Sequence, residues 1–199
     1  MKKKTYRFIH ILYVLLITNI LSILYLAVGL FALTILPVVF TNIEISTMLL
    51  NDEIDGYSGI LKIFNEGMKK HFKANKKSSI LTGIYTLTIV IAIFMLRRIQ
   101  MPIASVLNYF FVYLYIVIVI YWAYYSLYVV IKEKNIKYID ALAIMFMKPK
   151  KLFTTTALFA LFMAMGIFRK EFLVILAIAI ISAMFVKINK STIEILEIN

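Results

Sequence analysis

The sequence predicts an all-α polytopic membrane helical bundle of six crossings with both termini cytoplasmic, and three observations carry that prediction. Apolar residues make up 63% of the 199-residue chain, a composition outside the range of ordinary soluble domains. An apolar run from Phe8 to Leu50 holds a single charge, Glu44. As helix that run would extend roughly 65 Å, against about 30 Å for a hydrocarbon core. It is long enough for two crossings and too long for one. The 22 Lys and Arg residues gather in clusters that flank the apolar segments, where they fix orientation and meet anionic lipid headgroups.

The chain reads as one membrane domain over 1–199. Helix one spans about 8–30. Lys2-Lys3-Lys4-Thr5-Tyr6-Arg7 before it imitates a secretory signal, but the apolar stretch exceeds the usual length of such a segment, so a membrane anchor is expected. A turn near Gly29–Pro37 leads into helix two, about 34–50, because Pro37 lacks an amide donor and restrains Leu36. This second arm is short, and a re-entrant first hairpin that dips without spanning is the alternative. The remaining apolar segments cover about 80–96, 103–131, 152–168 and 172–186, the last pair joined by Arg169-Lys170-Glu171. Shortness of that pair is compatible with local thinning of the bilayer.

Two cytoplasmic segments are amphipathic. Across 57–73, Tyr57, Ile60, Leu61, Phe64, Met68 and Phe72 recur near the helical period, with lysines around them. Across 137–147, Tyr138, Leu142 and Met145 do the same, and Pro149 ends the pattern. Both are expected to lie in the headgroup layer as interfacial helices, or else to serve as ledges for a cytoplasmic partner. Folding 8–50 as a hairpin leaves only Arg97, Arg98, Arg169 and Lys170 outside. A single crossing would instead put 14 basic residues outside and eight inside, so the positive-inside bias selects the hairpin. A net charge of +12 placed in this way argues for lipid and against nucleic acid.

Gly29-Leu30-Phe31-Ala32-Leu33-Thr34-Ile35-Leu36-Pro37 resembles the L-x-T-I-x-P signature of the YesL-like family of small bacterial membrane proteins. Phe64, Lys70-His71-Phe72-Lys73-Ala74-Asn75 and Gly83 are similar to that family's F-x-x-F-K-x-N-F region and the glycine of its next helix. Asn19 falls where the family often has Asn. The resemblance covers most of residues 15–95. It departs after Pro37, where Val38-Val39-Phe40-Thr41 replaces the family's Ala-Thr-x-Ala. Members are biochemically uncharacterised, many are encoded beside carbohydrate uptake and degradation systems, and some carry permease-component labels. The resemblance therefore implies an auxiliary or permease-like subunit associated with carbohydrate transport in a bacterial plasma membrane, and it supplies no catalytic residue.

Glu44 is the foremost candidate site residue, because a carboxylate at bilayer depth costs about 2.5–3.5 kcal/mol on insertion scales and must find partners. Asn42, Thr41 and Asn19 are the expected ones. The group reads either as a proton, cation or substrate-anchoring site, or as a structural hydrogen-bonding node. Tyr121, Tyr125 and Tyr128 share one face of the fourth crossing, either as a platform for a sugar ring or as an interfacial aromatic belt. Lys69, Lys70, Lys73, Lys76 and Lys77 form the basic surface expected to face lipid or a partner. His10 and His71 stand without ligand-spaced neighbours, so no metal site is expected. No phosphate-cradling glycine loop, HExxH or GxSxG is present, so neither ATP hydrolysis nor protease or lipase chemistry is expected, nor any cofactor. Two further readings stand beside the transport subunit. One is a substrate-capturing membrane subunit of a vitamin or metal uptake complex, and the other is a non-transport membrane assembly or sensing factor.

Overall fold

A computed structural model describes residues 2–29, 33–54, 59–134, 136–168 and 178–195. The described residues form eight helices and no strand: α1 (Lys2–Val28), α2 (Ile35–Leu50), α3 (Ile60–Ala74), α4 (Lys76–Leu96), α5 (Pro102–Lys132), α6 (Tyr138–Met147), α7 (Pro149–Phe168) and α8 (Ile178–Ile195). Three of them, over Thr5–Val28, Lys76–Leu96 and Pro102–Lys132, are long and apolar enough to cross a membrane. The protein is accordingly a helical membrane protein. Residues 30–32 of the first turn, Tyr57, the Arg169–Glu171 turn and the start of the last apolar segment lie outside the described residues.

A short apolar helix is the hub. α2 packs against α1, α3, α4, α5 and α8, and Phe40, Ile43 and Ile45 are fully enclosed. Pro37 falls inside its first turn, where an amide has no intrahelical acceptor, so the ring costs no hydrogen bond. Beyond the C-terminus, the Glu53 amide closes back onto the Met48 carbonyl at 2.9 Å, and Asp52 takes a left-handed φ of 57°. That turn returns the chain to the start of α1. The Arg7 guanidinium donates to both oxygens of Asp52 at 2.8 and 2.9 Å, and His10 Nε2 meets the Ile54 carbonyl at 3.0 Å. The long apolar run is thus a hairpin whose two arms start and finish at one end of the bundle.

Other contacts collect at the same end. Lys190 reaches Asn51, Lys132 donates to the Glu194 carbonyl at 3.0 Å, and Lys151 donates to Ser191 at 2.9 Å. The far half of α5 tells the complementary story, for Ile103, Val106, Tyr109 and Tyr113 are more than 60% exposed. On α4 the buried face is Ser79, Thr82, Gly83 and Thr86, closed by Ile89, while Leu81, Ile84 and Phe94 point outward. Small and weakly polar inside, large and apolar outside, is the pattern of a helix whose solvent is hydrocarbon.

Several element boundaries and faces differ from the sequence reading. Both amphipathic segments dock on the bundle itself. On α3 the buried face is Ile60, Phe64, Gly67, Met68 and His71, and Leu61 turns outward at 59% exposure, because the seam against α1 and α2 follows positions 60, 64, 67 and 71. On α6 the seated residues are Ala141, Ile144 and Met145, whereas Tyr138 and Leu142 are exposed. The helix has rotated to pack Ile144 and Met145 among Ile120, Leu127 and Tyr128. Pro149 opens α7 after a one-residue break at Lys148. The last helix runs on past Val186 to Ile195, because Asn189, Thr192 and Ile193 extend its buried face through a polar sequence.

Candidate functional site

Glu44 sits just past the middle of α2, facing α3. Lys70 and His71 are neighbours near the end of α3, so about 100° of helical turn separates them and they reach the carboxyl from two sides. The Lys70 ammonium donates to Oε1 at 2.6 Å. His71 Nε2 meets Oε2 at 2.7 Å. His71 is nearly enclosed, its side chain 5% exposed, whereas Lys70 is 65% exposed. Phe40 covers the imidazole, with ring centroids 4.9 Å apart. The carboxyl therefore joins a dry partner to a wet one.

Gly67 permits this approach. A Cβ at position 67 would lie 3.0 Å from Thr41 Cγ2 and 3.4 Å from Glu44 Oε2. Thr41 and Glu44 are three residues apart on α2 and present one surface, into which the bare glycine backbone fits. Leucine at this position must push α3 off α2. Gly67→Leu is expected to destabilise the protein by about 1–3 kcal/mol, the usual range for overpacking, read from SDS-induced unfolding of the purified protein in mild micelles. A variant as stable as wild type would mean that the two helices are not in contact here.

The cluster forms part of the wall of a cleft of about 910 Å³ between α2, α3, α5 and α8. Glu53, Glu133 and Glu194 add carboxylates to its lining, and Lys190 adds a second ammonium. Lys190 is held by Asn51 and lies 3.6 Å from Glu194. The cleft opens at the end where Arg7, Lys132 and Lys151 make their contacts. Four carboxyls face two ammoniums and one imidazole, so the lining is acidic in balance, and that bulk charge alone does not orient an occupant. A narrow contact surface does: a carboxyl, an imidazole and an ammonium at the edge of water-sized space.

The expected companions of Glu44 are dispersed. Asn42 donates to Ser22 Oγ at 2.7 Å and to the Val38 carbonyl at 2.8 Å. Two residues of helix turn through about 200°, so Asn42 and Glu44 point to nearly opposite sides of α2. Asn19 Oδ1 accepts from the amides of Ile178 and Ala179 at 3.0 and 3.3 Å, tying α1 to the start of α8. Thr41 shares the face of Glu44 and lines the Gly67 contact rather than bonding the carboxyl.

The tyrosine face is likewise split. Tyr125 and Tyr128 are 4% and 3% exposed, enclosed by Phe40 and Ala141 in one case and by Ile144 and Phe185 in the other. Neither offers an open ring to a sugar or a belt residue to the headgroups. Tyr121 donates to the Tyr138 carbonyl at 3.1 Å. Of the basic surface, Lys70 is committed to Glu44, whereas Lys69, Lys73, Lys76 and Lys77 are exposed. Among the described residues no three His, Asp or Glu side chains converge as a metal ion would require.

Two polar nodes escaped the sequence reading. In sequence His71 stands as a lone histidine, although its neighbour Lys70 and the glycine one turn earlier mark a close contact face. Asn189 was placed in a tail. It is fully buried, accepts from Tyr124 at 2.7 Å and donates to Thr155 Oγ1 at 3.1 Å, so it joins α5, α7 and α8. The signal was its spacing of four from Phe185. No family model, curated protein or solved structure matches the chain.

Proposed function

We propose that this protein is a six-crossing subunit of the bacterial plasma membrane, YesL-like in kind, that assists carbohydrate transport and handles a proton or cation at Glu44, His71 and Lys70. The observation that carries the reading is the cleft itself: water-sized space reaches an acidic side chain embedded in a helix of apolar residues. A purely structural carboxyl would be expected to sit against a packed wall. The hydrogen bond between His71 and Glu44 places an imidazole and a carboxyl in reach of water in the cleft. The contacts of Arg7, Lys132, Lys151 and Lys190 at one end of the bundle favour a cytoplasmic placement of that end, by the same bias that selects the hairpin. The outer face of α6, with Ile139, Phe146 and Met147 each more than half exposed, suits a partner subunit or the acyl boundary.

This reading is tested by uptake of labelled oligosaccharides in the native host. Deletion of the gene is expected to cut uptake of at least one sugar, and Glu44→Gln should reproduce the loss at unchanged membrane abundance. Normal uptake of every sugar in the deletion strain overturns the transport role. Loss on deletion with normal uptake in Glu44→Gln overturns the site.

A further inference from the structure

A second cavity, of about 750 Å³, lies where the α3–α4 junction meets the start of α6. Lys73, Lys76, Lys77 and Lys137 line it, and no Asp or Glu does. It differs in this from the neighbouring cleft, where four glutamates outnumber the bases. None of these four lysines makes an ion pair with a carboxylate among the described residues. Four ammonium groups around one concavity repel each other, and nothing else in the lining offsets that repulsion.

The hydroxyls of Ser78 and Tyr138 lie 2.7 Å apart and clasp the two segments together across the same groove. α4 begins at Lys76 and is one of the three helices long and apolar enough to cross a membrane. Its positive dipole end therefore starts within the lysine cluster. A crossing that starts at Ile80 and Leu81 would put this first turn at headgroup depth.

We infer that the groove of Lys73, Lys76, Lys77 and Lys137 binds a phosphate group, carried either by an anionic lipid headgroup or by a soluble phosphate ester. The lysines contribute charge, while the hydroxyl pair, with one proton used between Ser78 and Tyr138, keeps the other free to donate to a phosphate oxygen. The groove needs only a bilayer position and is independent of the transport role, so either can fail alone.

The test is retention of phosphatidylglycerol by the full chain, released from nanodiscs of phosphatidylcholine and phosphatidylglycerol into detergent and weighed by native mass spectrometry. Wild type is expected to keep one phosphatidylglycerol. The variant K73Q/K76Q/K77Q/K137Q should lose it by at least about ten-fold, since juxtamembrane lysines each contribute appreciably to anionic-lipid attraction. A charge-matched variant, K62Q/K69Q/K148Q/K150Q, should retain it. Equal retention by all three proteins, or equal loss in both variants, overturns the site in favour of diffuse surface charge. Should the first variant fail to fold, K73Q/K137Q replaces it and is expected to weaken retention about three-fold. A parallel titration of the detergent-purified protein with glycerol phosphate separates the sources. Saturable binding that K73Q/K137Q abolishes, without lipid retention, assigns the groove to a soluble ester; lipid retention without that binding assigns it to the membrane. Neither in the wild type overturns the inference.

Discussion

Replacing Glu44 by alanine is expected to destabilise the protein by about 2–3 kcal/mol, the largest loss of any single charge removal in the bundle. Breaking a fully buried ion pair costs about 3–5 kcal/mol because the surviving partner is stranded. Glu44 is 22% exposed and Lys70 is mostly in solvent, which lowers the figure. The two contacts are unequal. A buried hydrogen bond to a charged group contributes about 1.5–3 kcal/mol, whereas an exposed pair contributes about 0–1 kcal/mol. His71→Phe, which preserves packing against Phe40, should therefore cost more than Lys70→Ala. Glu44→Gln keeps an acceptor for the imidazole and should fall between the alanine variant and wild type. SDS-induced unfolding in mild micelles reads all four. If Lys70→Ala proved as damaging as Glu44→Ala, the exposed partner would hold the cluster and the enclosed imidazole would be incidental.

The second large effect is an all-or-none labelling pattern. The chain contains no cysteine, so one introduced thiol reports one position. Cysteine at Lys69 or Lys134 should react with an impermeant maleimide in inside-out vesicles and stay unlabelled in intact cells. Cysteine at Gln100, between α4 and α5, should show the reverse. The three positions are exposed, so absence of labelling reflects the membrane barrier rather than burial. Reaction at Lys69 from outside intact cells would invert the bundle, place the Glu44 cleft on the outer face and remove the basis for a cytoplasmic partner.

Much of the architecture was legible because apolar length and lysine placement are one-dimensional properties. Helices α1, α4 and α5 follow directly from uninterrupted apolar segments, and the return of α2 to the start of α1 follows from a run too long to cross once. The last helix was cut short at Val186 because its continuation is polar in sequence and buried through Asn189, Thr192 and Ile193. A search for continuous apolar character cannot see such a turn.

The site was legible only in part. Glu44 could be singled out because a lone carboxyl in an apolar run must be satisfied somewhere. Its partners could not be named, because Asn42, two residues away on the same helix, competes on sequence proximity with residues 26 and 27 positions distant. A helix's period gives the set of residues on one face, not the rotation at which that face meets its neighbour. α3 and α6 illustrate the same limit, for each turned a slightly different stripe inward than the most apolar one.

Amino-acid order alone thus determined the solvent of this protein, the hairpin form of its first arm and the segregation of its lysines, since each depends on transfer free energies summed along the chain. Tertiary structure decided that the short second helix is the hub, that His71 and Lys70 rather than Asn42 and Asn19 complete Glu44, and that the distant Lys137 joins Lys73, Lys76 and Lys77 in one groove. Those outcomes depend on interhelical rotation and on the close approach at Gly67, which set contacts between segments that no local pattern links.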